Sequence, residues 1–593
     1  MSISQNFPIV SPSLSLDFAN TKVLDSRITF SRPTSAVYYD GQTVTKAEEN
    51  LVLYSQEFDN AYWGKNSTTV VANSIDAPDG TTTADTLSAA GTGLNALFRS
   101  VIHPSGLNTV SIYAKKGTKS VLQFSSAALG VPAGRANFDL DTGSLGTVDV
   151  AWDASIIDAG NGWYRCVATF IGTGTTGNFL VSMQDSTTAA RDALSTAGNL
   201  YLWGLQWEVR DAVTAYQPTT TQPITNYIPT LLSAPANSAR FDHNPVTGES
   251  LGLLVEEQRT NFQVYSDDFN NEAWSKLRTS ITSNAIVAPD GTLTGDKLVE
   301  NTDTNNHQVV DAITASAQPY TISVYAKAGE RQYFSIAFTS SVITYAWFDL
   351  LSGTTTNATN CTSSIKNVGN GWYRCSITTT ALAATTFFAL FMGTSPSGYA
   401  PSYTGDGYSG IYIWGAQLEA GSFPTSYIKT EASQVTRSAD SASMTGANFS
   451  DWYRQDEGSI VVGFTGFGAF VSMSNANSGY SQYRAIYKQP YPSPVAAVEN
   501  YNSVAQVAFY NIGGNEPVSA YIKVGYSYKF NDFAALADGL SPSTDTIGSV
   551  ATVDRLGIGY DYGTSAVAGN FHIKKLSYYP QRLSNENLQA LTS

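Results

Sequence analysis

One long segment of this chain occurs twice, and that constrains the fold more than any composition figure. Around residue 50 the sequence reads Asn50-Leu51-Val52-Leu53-Tyr54-Ser55, followed by Phe58, Trp63 and Pro78-Asp79-Gly80. The same landmarks return 211 positions later, with Tyr54 matched by Tyr265, Phe58 by Phe269, Trp63 by Trp274 and Asp79 by Asp290. Further on, Tyr113-Ala114-Lys115 matches Tyr325-Ala326-Lys327, and residues 160–166 (GNGWYRC) return as 369–375. Trp203-Gly204, Glu208 and Tyr216 match Trp414-Gly415, Glu419 and Tyr427. Solenoid units run roughly 20–50 residues, so a period this long is a duplicated globular domain. Duplicating a binding module gains avidity, whereas duplicating an active site gains much less. The repeat therefore points towards binding.

The 593 residues suffice for several domains. Charged residues make up 14% of them, while 48 glycines and 22 prolines suit β-structure with short polar turns. The net charge of −15, without a Lys/Arg cluster, argues against nucleic-acid binding. No run of about 20 apolar residues is present, so no membrane span is expected. The Met1-Ser2-Ile3-Ser4-Gln5 start has no basic segment leading into an apolar stretch, so no signal peptide is expected, and the few cysteines suit folding in a reducing compartment. Three cysteines do not make a disulfide framework. Cys166 and Cys375 occupy equivalent positions and read as buried thiols, with a Cys361–Cys375 bridge the alternative.

Helical periodicity is nearly absent, residues 584–591 being the best helix candidate. Elsewhere short alternating runs are separated by Gly, Asn, Asp and Pro clusters, which predicts β-sandwiches. Asn161-Gly162 and Asn370-Gly371 predict type I′ hairpins, whose two central residues need positive φ. The pattern divides the chain into an N-terminal segment (1–49), a first module (50–220), a connector with a hairpin arm (221–260), a second module (261–430) and a C-terminal domain (440–593).

In the GNGWYRC hairpin, Tyr164, Cys166, Ala168 and Phe170 share one strand face, and Trp163, Arg165 and Val167 the other. The Tyr-Cys face reads as core and the Trp-Arg face as an outer sheet surface. There Arg165 would pair with Glu208, and Arg374 with Glu419, tying neighbouring strands. Trp203 and Trp414 read as core residues sharing a face with Leu205 and Ala416. Trp152 and Trp347 lack an aromatic counterpart in the other copy, which makes them candidates for copy-specific contacts. No GxSxG, HExxH, P-loop or GxGxxG pattern is present. His103, His243, His307 and His572 stand alone and default to surface or loop positions. Glu48-Glu49 and Glu256-Glu257 are adjacent pairs, which place their carboxylates on opposite faces and make no acid/base site. No metal or other cofactor is expected; Asp79-Gly80 and Asp406-Gly407 could supply a Ca²⁺ ligand but read first as turns.

Residues 13–41 (SLSLDFANTKVLDSRITFSRPTSAVYYDG), 239–261 (ARFDHNPVTGESLGLLVEEQRTN), the WYRC hairpins and 413–419 (IWGAQLE) resemble tail-fibre and virion-surface proteins of tailed bacteriophages. The duplicated modules are similar to jelly-roll carbohydrate-binding modules. Residues 521–538 and 571–592 look like a concanavalin A-like or laminin-G-like lectin sandwich. The resemblance implies an all-β, multi-domain, non-enzymatic adhesin on the virion surface that binds host-surface polysaccharide. It also implies contacts with other virion proteins, a homo-oligomer (a trimer favoured) and an N-terminal segment that docks to the particle. The alternative is a structural or decorating protein of head, neck or baseplate. Ligand recognition is expected in the C-terminal domain at Tyr560, Asp561 and Tyr562, with Tyr483 and Tyr487, since tyrosine offers a ring face and a hydroxyl to a sugar at low entropic cost.

Overall fold

The structure, a computed structural model, describes residues 10–126, 133–314, 316, 318–339, 342–379, 385–475, 481–488, 495–513, 517, 519–559 and 569–593. The alternating runs become strands, and the fold is all-β and multi-domain. Chain contacts divide it into two units. One holds both modules (Val44–Ile228 and Tyr265–Ala416), and the other holds Met1–Thr43, Pro229–Val264 and Gln417–Ser593.

Each module is a sandwich of two six-stranded antiparallel sheets, and the strand order is the same in both copies. In the first, one sheet runs Trp152–Asp158, Trp163–Gly172, Gly106–Lys116, Gly198–Glu208, Ala84–Ala89, Thr69–Ile75. Its counterpart in the second runs from Thr362–Gly369 through Trp372–Thr379, Tyr320–Ala328, Gly410–Ala420 and Gly295–Glu300 to Thr279–Ile286. The hairpin turns have the expected geometry, with φ of 52° and 76° at Asn161-Gly162 and 47° and 75° at Asn370-Gly371. Between the sheets of the first module lie Phe124, Phe138, Cys166, Ala168, Phe170, Phe179 and Trp207.

A bulge decides which aromatics enter that core. Gly204 has φ +63°, and the ladder to Gly106–Lys116 slips between Trp203 and Gln206. One extra residue reverses the alternation. Leu200 and Leu202 face the core before the bulge, and Leu205 and Trp207 after it. Trp203, expected beside Leu205, faces the other way and joins Tyr113 and Trp163 in a separate cluster. Gly415, at φ +65°, repeats the left-handed conformation in the second module.

Other expectations are corrected here. Trp152 and Trp347 are not free for partner contacts: Trp152 stacks on Phe170 at 4.8 Å, and Trp347 is fully buried with its Nε1 donating to the Gly398 carbonyl. His103, His243 and His307 are buried rather than at the surface. His243 and His307 have Nδ1 at main-chain oxygens (Tyr39 and Arg278), so they cap backbone groups that water cannot reach. All three cysteines are free, and burial pushes the Cys166 and Cys375 thiols well above their usual range.

The second unit departs from the expected division. The N-terminal segment and the connector arm are not separate parts: both are strands of the C-terminal sandwich. Leu14–Asp17 pairs with Gly569–Tyr579 (Leu14↔Tyr578), and so does the arm Arg240–His243/Ser250–Glu256 through Leu253↔Ile573. Leu14, Leu16, Phe18, Leu253 and Val255 share one core with Ile460, Phe571 and Leu576. The expected virion-docking segment, 1–49, is therefore divided: up to Thr43 it belongs to this unit, with Leu14, Leu16 and Phe18 in its core, and from Val44 it belongs to the other. Strand edges leave N–H and C=O groups that must be paired or covered, and here partners come from remote parts of the chain. The strand Glu457–Ser474 makes the corner of the sandwich. Its first half pairs with Gly569–Tyr579 and Ile522–Lys529, and its second with Gln482–Lys488 and Arg555–Ile558. The change of partners occurs around Gly466 (φ +101°), where a Cβ would stand 2.2 Å from the Asn570 carbonyl oxygen. The helix Asn585–Thr592 forms where expected, capped by Ser584, whose Oγ accepts from the Asn587 N–H.

Five buried charges hold the three chain segments of this unit together. Arg32 reaches Asp440 at 2.8 Å, Arg240 reaches Glu256 at 2.8 Å and also Asp440, and Arg437 reaches Glu256 at 2.5 Å. Each is at most 1% exposed. Spare donors and acceptors are used as well: Ser426 donates its N–H (2.7 Å) and hydroxyl (2.6 Å) to Glu256, and Arg32 donates to the Pro235 carbonyl. Burial pushes the Glu256 carboxyl up, but Arg437, Arg240 and Ser426 outweigh it and hold it well below the usual carboxylate range.

Glu256→Ala leaves Arg437 without its carboxylate and Arg240 with Asp440 alone, and should cost about 3–5 kcal/mol in urea unfolding of this unit. Because the folded pKa is depressed, the stabilisation is present above the ordinary value of 4.5 and is lost as pH falls below it. Melting temperatures from pH 7 down to pH 3 should therefore fall more steeply in the native chain than in the variant.

Candidate functional site: a groove between the two modules

Tyr560, Asp561 and Tyr562 lie outside the described residues. Tyr483 and Tyr487 stand half-buried on one face of the strand Gln482–Lys488, while Arg484, Ile486 and Lys488 turn inwards. Burial, aided by Tyr510 and Tyr483, pushes the Tyr487 hydroxyl up to about 12. Arg484 between them is fully buried against Glu499 (3.1 Å) and under the Tyr528 ring (3.5 Å), so the strand is fixed from inside.

The expected Arg165–Glu208 bridge is indirect. Thr214 stands between the two, giving its carbonyl to Arg165 (2.8 Å) and its N–H (3.0 Å) and hydroxyl to Glu208. Arg165 also donates to Ser111 Oγ and lies 5.1 Å over the Tyr113 ring, and the cation nearest Glu208 is Arg210 at 3.5 Å. Burial raises the Glu208 carboxyl despite the Thr214 hydrogen bonds. The second copy repeats the pieces: Arg374 donates to Ser323 and lies 5.4 Å from the Tyr325 ring centre, and Glu419 accepts from the Thr425 N–H and hydroxyl. The Trp-Arg face was expected to be an open sheet surface, yet Arg165 is 8% exposed and Trp163 2%.

Part of that cover comes from the second module. Tyr408 packs against Tyr113, Trp163 and Trp203. It can approach because residue 160 is glycine: a Cβ there would meet the Tyr408 Cβ at 3.1 Å and the Gly407 oxygen at 3.3 Å, at φ +74°. Lys327 crosses to Glu48 on the strand leading into the first module (2.7 Å), and the Asn370 amide donates to the same carboxylate (2.9 Å). Burial raises Glu48, but Lys327 and Asn370 outweigh it and the carboxyl ends below its usual value.

Beside this contact a groove of about 620 Å³ opens between the modules. The first module contributes Gln56, Tyr113, Arg165, Tyr216 and Gln217, and the second Thr282, Ser283, Asn284, Lys297, Lys327, Glu330, Tyr408 and Tyr412. Its rings pack on one another, Tyr113 edge to face with Trp203 at 5.1 Å and Trp203 tilted against Tyr216 at 4.8 Å. Lys297 is fixed by Glu330 (2.8 Å) and the Tyr408 carbonyl (3.2 Å), with the Tyr408 ring 4.2 Å away. Tyr412 sits directly across the ladder from Lys297. Burial, with Glu330 and Tyr113 close by, pushes the Tyr412 hydroxyl well up, so it stays a neutral donor and acceptor.

One module feature supports the groove from below. Asp85 accepts from the N–H groups of Phe58 (2.9 Å) and Asn73 (2.9 Å), and Asp296 from those of Phe269 (3.0 Å) and Asn284 (3.0 Å). Asp296 thereby holds Asn284 at φ +55° on the groove wall. Burial pushes both carboxyls up to about 6. The two possible Ca²⁺ loops are turns: Asp79 accepts from Thr81, and Asp406 from the N–H groups of Tyr408 and Ser409. Among the described residues no group of three or more His, Cys, Asp or Glu side chains could hold a metal ion. No helix among them is long and apolar enough to cross a membrane.

Nothing in the sequence marks Tyr408, Tyr412 or Asn284, and Glu48 stands out only as half of an adjacent carboxylate pair, because their roles depend on the second module meeting the first. One signal existed. Tyr412 matches Tyr201 and Lys327 matches Lys115, but Lys297 stands where the first module has Thr86, so only one copy carries the lysine pair.

No protein-family model and no curated protein matches the chain. Among solved structures, it is similar to the CBM40 of the Ruminococcus gnavus IT-sialidase bound to α2,6-sialyllactose (15% identity, 25% of this chain and 88% of that one, TM-score 0.21). It is similar as well to the CBM22-1–CBM22-2 tandem of Paenibacillus barcinonensis Xyn10C (12%, 63% and 99%, TM-score 0.20). A third is the Trypanosoma rangeli sialidase in complex with the inhibitor DANA (12%, 83% and 94%, TM-score 0.18). Similarity at this level carries nothing about ligand or chemistry.

Gly160→Ala should destabilise the two-module unit by about 1–2 kcal/mol through its left-handed backbone and the displaced Tyr408, read as a lower denaturation midpoint. Asp85 and Asp296 should titrate near pH 6 in carboxyl ¹³C NMR. Their folded pKa lies above the unfolded 3.8, so their contribution to stability should decline as pH rises from about 4 to about 6.

Proposed function

We propose that this chain is a non-enzymatic glycan-binding adhesin on the surface of a tailed-phage virion, acting as a homo-oligomer with a trimer favoured. The observation that carries the reading is the groove between the modules, where tyrosine rings stand beside amides, hydroxyls and paired charges. Sugars are recognised by such surfaces, with ring faces against C–H groups and polar groups on the hydroxyl rim. The virion assignment rests on the sequence resemblance of residues 13–41, 239–261, 413–419 and the WYRC hairpins.

Binding is favoured over hydrolysis by what the carboxylates already do. A glycosidase needs two carboxyl groups facing each other across the scissile bond, about 5–10 Å apart and free to act. In the groove Glu330 is tied to Lys297 and accepts from the Gly410 N–H, Asp79 holds Thr81, and Asp158 accepts from the Gly160 N–H. Asp85 and Asp296 have raised pKa values but serve backbone N–H groups in both copies alike.

The test is retention of the purified chain on host cells and on a glycan array, with particle association measured in parallel. Binding to cells and glycans without release of reducing sugar is expected. Tight association with capsid or tail proteins and no glycan binding would replace this reading with that of a structural virion protein.

A further inference from the structure

The groove does not end at its first compartment. Val213 and Asn284 also line a second cavity of about 610 Å³, which Ser155, Asp153 and Asp211 help to wall. The two compartments therefore adjoin at those two residues, which stand at the boundary between them.

The charges in both compartments restrict what that ligand is. In the first, three cations (Arg165, Lys297, Lys327) face three anions (Asp79, Asp158, Glu330). The cations are already engaged: Arg165 by Ser111 and Thr214, Lys297 by Glu330, and Lys327 by Glu48. The residues lining the second compartment include Asp153 and Asp211 and no cation. A carboxylated or sulfated sugar would find no spare positive charge there, and would enter a chain of net charge −15. What remains available is neutral. Among the described residues no hydrogen bond engages the Tyr412 hydroxyl or the Asn284 side chain, and the Tyr216 and Tyr408 rings, partly buried, line the wall beside them.

We infer that the groove takes an internal run of a neutral polysaccharide, laid across both compartments with Asn284 at the junction and the Tyr412 hydroxyl on the sugar rim. This rests on the glycan-binding reading and narrows it to one ligand class and one mode, recognition along a chain rather than of its terminal residue. The paired lysines fix the wall, and Tyr412 and Asn284 make the contacts.

Calorimetric titration of the full chain tests it, with cello-, malto-, xylo- and mannohexaose, the matching trisaccharides, and an oligogalacturonate of equal length. At least one neutral hexasaccharide should bind, more tightly than its trisaccharide and than the oligogalacturonate. Tyr412→Phe and Asn284→Gly, the latter suited to the left-handed backbone at that position, should each weaken it about tenfold, the worth of one lost hydrogen bond, with melting temperatures little changed. Ser155→Trp, which fills the second compartment, should weaken the hexasaccharide and leave the trisaccharide alone. Tighter binding of the oligogalacturonate overturns the inference while the glycan-binding reading stands, and so does full affinity in a Tyr412→Phe/Asn284→Gly double variant. Binding of no sugar in the set overturns both.

Discussion

The buried charges around Glu256 and Asp440 are the interaction on which one of the two units depends. The chain leaves this unit after Thr43 and again after Val264, builds a module each time, and returns at Pro229 and Gln417. Arg32 precedes the first departure, Arg240 and Glu256 lie between the two, and Arg437 and Asp440 follow the second return. Loop-closure entropy grows slowly, at about 0.6 kcal/mol per doubling of length, so excursions of this size are affordable if their ends are fixed well. A buried charge cluster joined by short hydrogen bonds fixes them with directionality that apolar packing lacks. Its net stabilisation is smaller than its contacts suggest, since burying charges costs much of what their attraction returns.

In the two-module unit the corresponding constraint is the bulge at Gly204. By shifting the alternation it sends Leu205 and Trp207 into the sandwich and leaves Trp203 with Tyr113, Trp163 and Tyr216 on the opposite sheet face. A face with that much aromatic area cannot remain in water without driving association. Tyr408 covers part of it, and the remainder becomes the groove wall. The two copies thus take unequal parts: the first supplies an aromatic face, and the second meets it with its Lys297–Tyr412–Lys327 side. Duplication supplied two similar sandwiches, and their contact supplies a site that neither contains alone.

That asymmetry explains why the site escaped a reading based on matched positions. Comparing copies directs attention to residues they share, such as Arg165 and Arg374, and these prove to be braces, held by Ser111 and Ser323 and by the tyrosine rings beneath them. The groove's contact residues occur where the copies diverge or where only one copy faces the other.

From the sequence alone the β-class, the duplication, the GNG hairpin turns, the buried thiols at Cys166 and Cys375, the hairpin arm and the C-terminal helix were all legible. Each is set by neighbours within a few residues, through alternation, positive φ or a capping serine. The face assigned to Trp203, the burial of three histidines, the Thr214 link between Arg165 and Glu208, and the membership of residues 14–43 and 240–256 in the C-terminal sandwich were not legible. A bulge changes the alternation without changing composition, and a strand's partner depends on which edge is vacant after everything else has folded. The groove lies furthest from the sequence, because Asn284, Tyr408 and Tyr412 acquire their surroundings only when one module packs on the other.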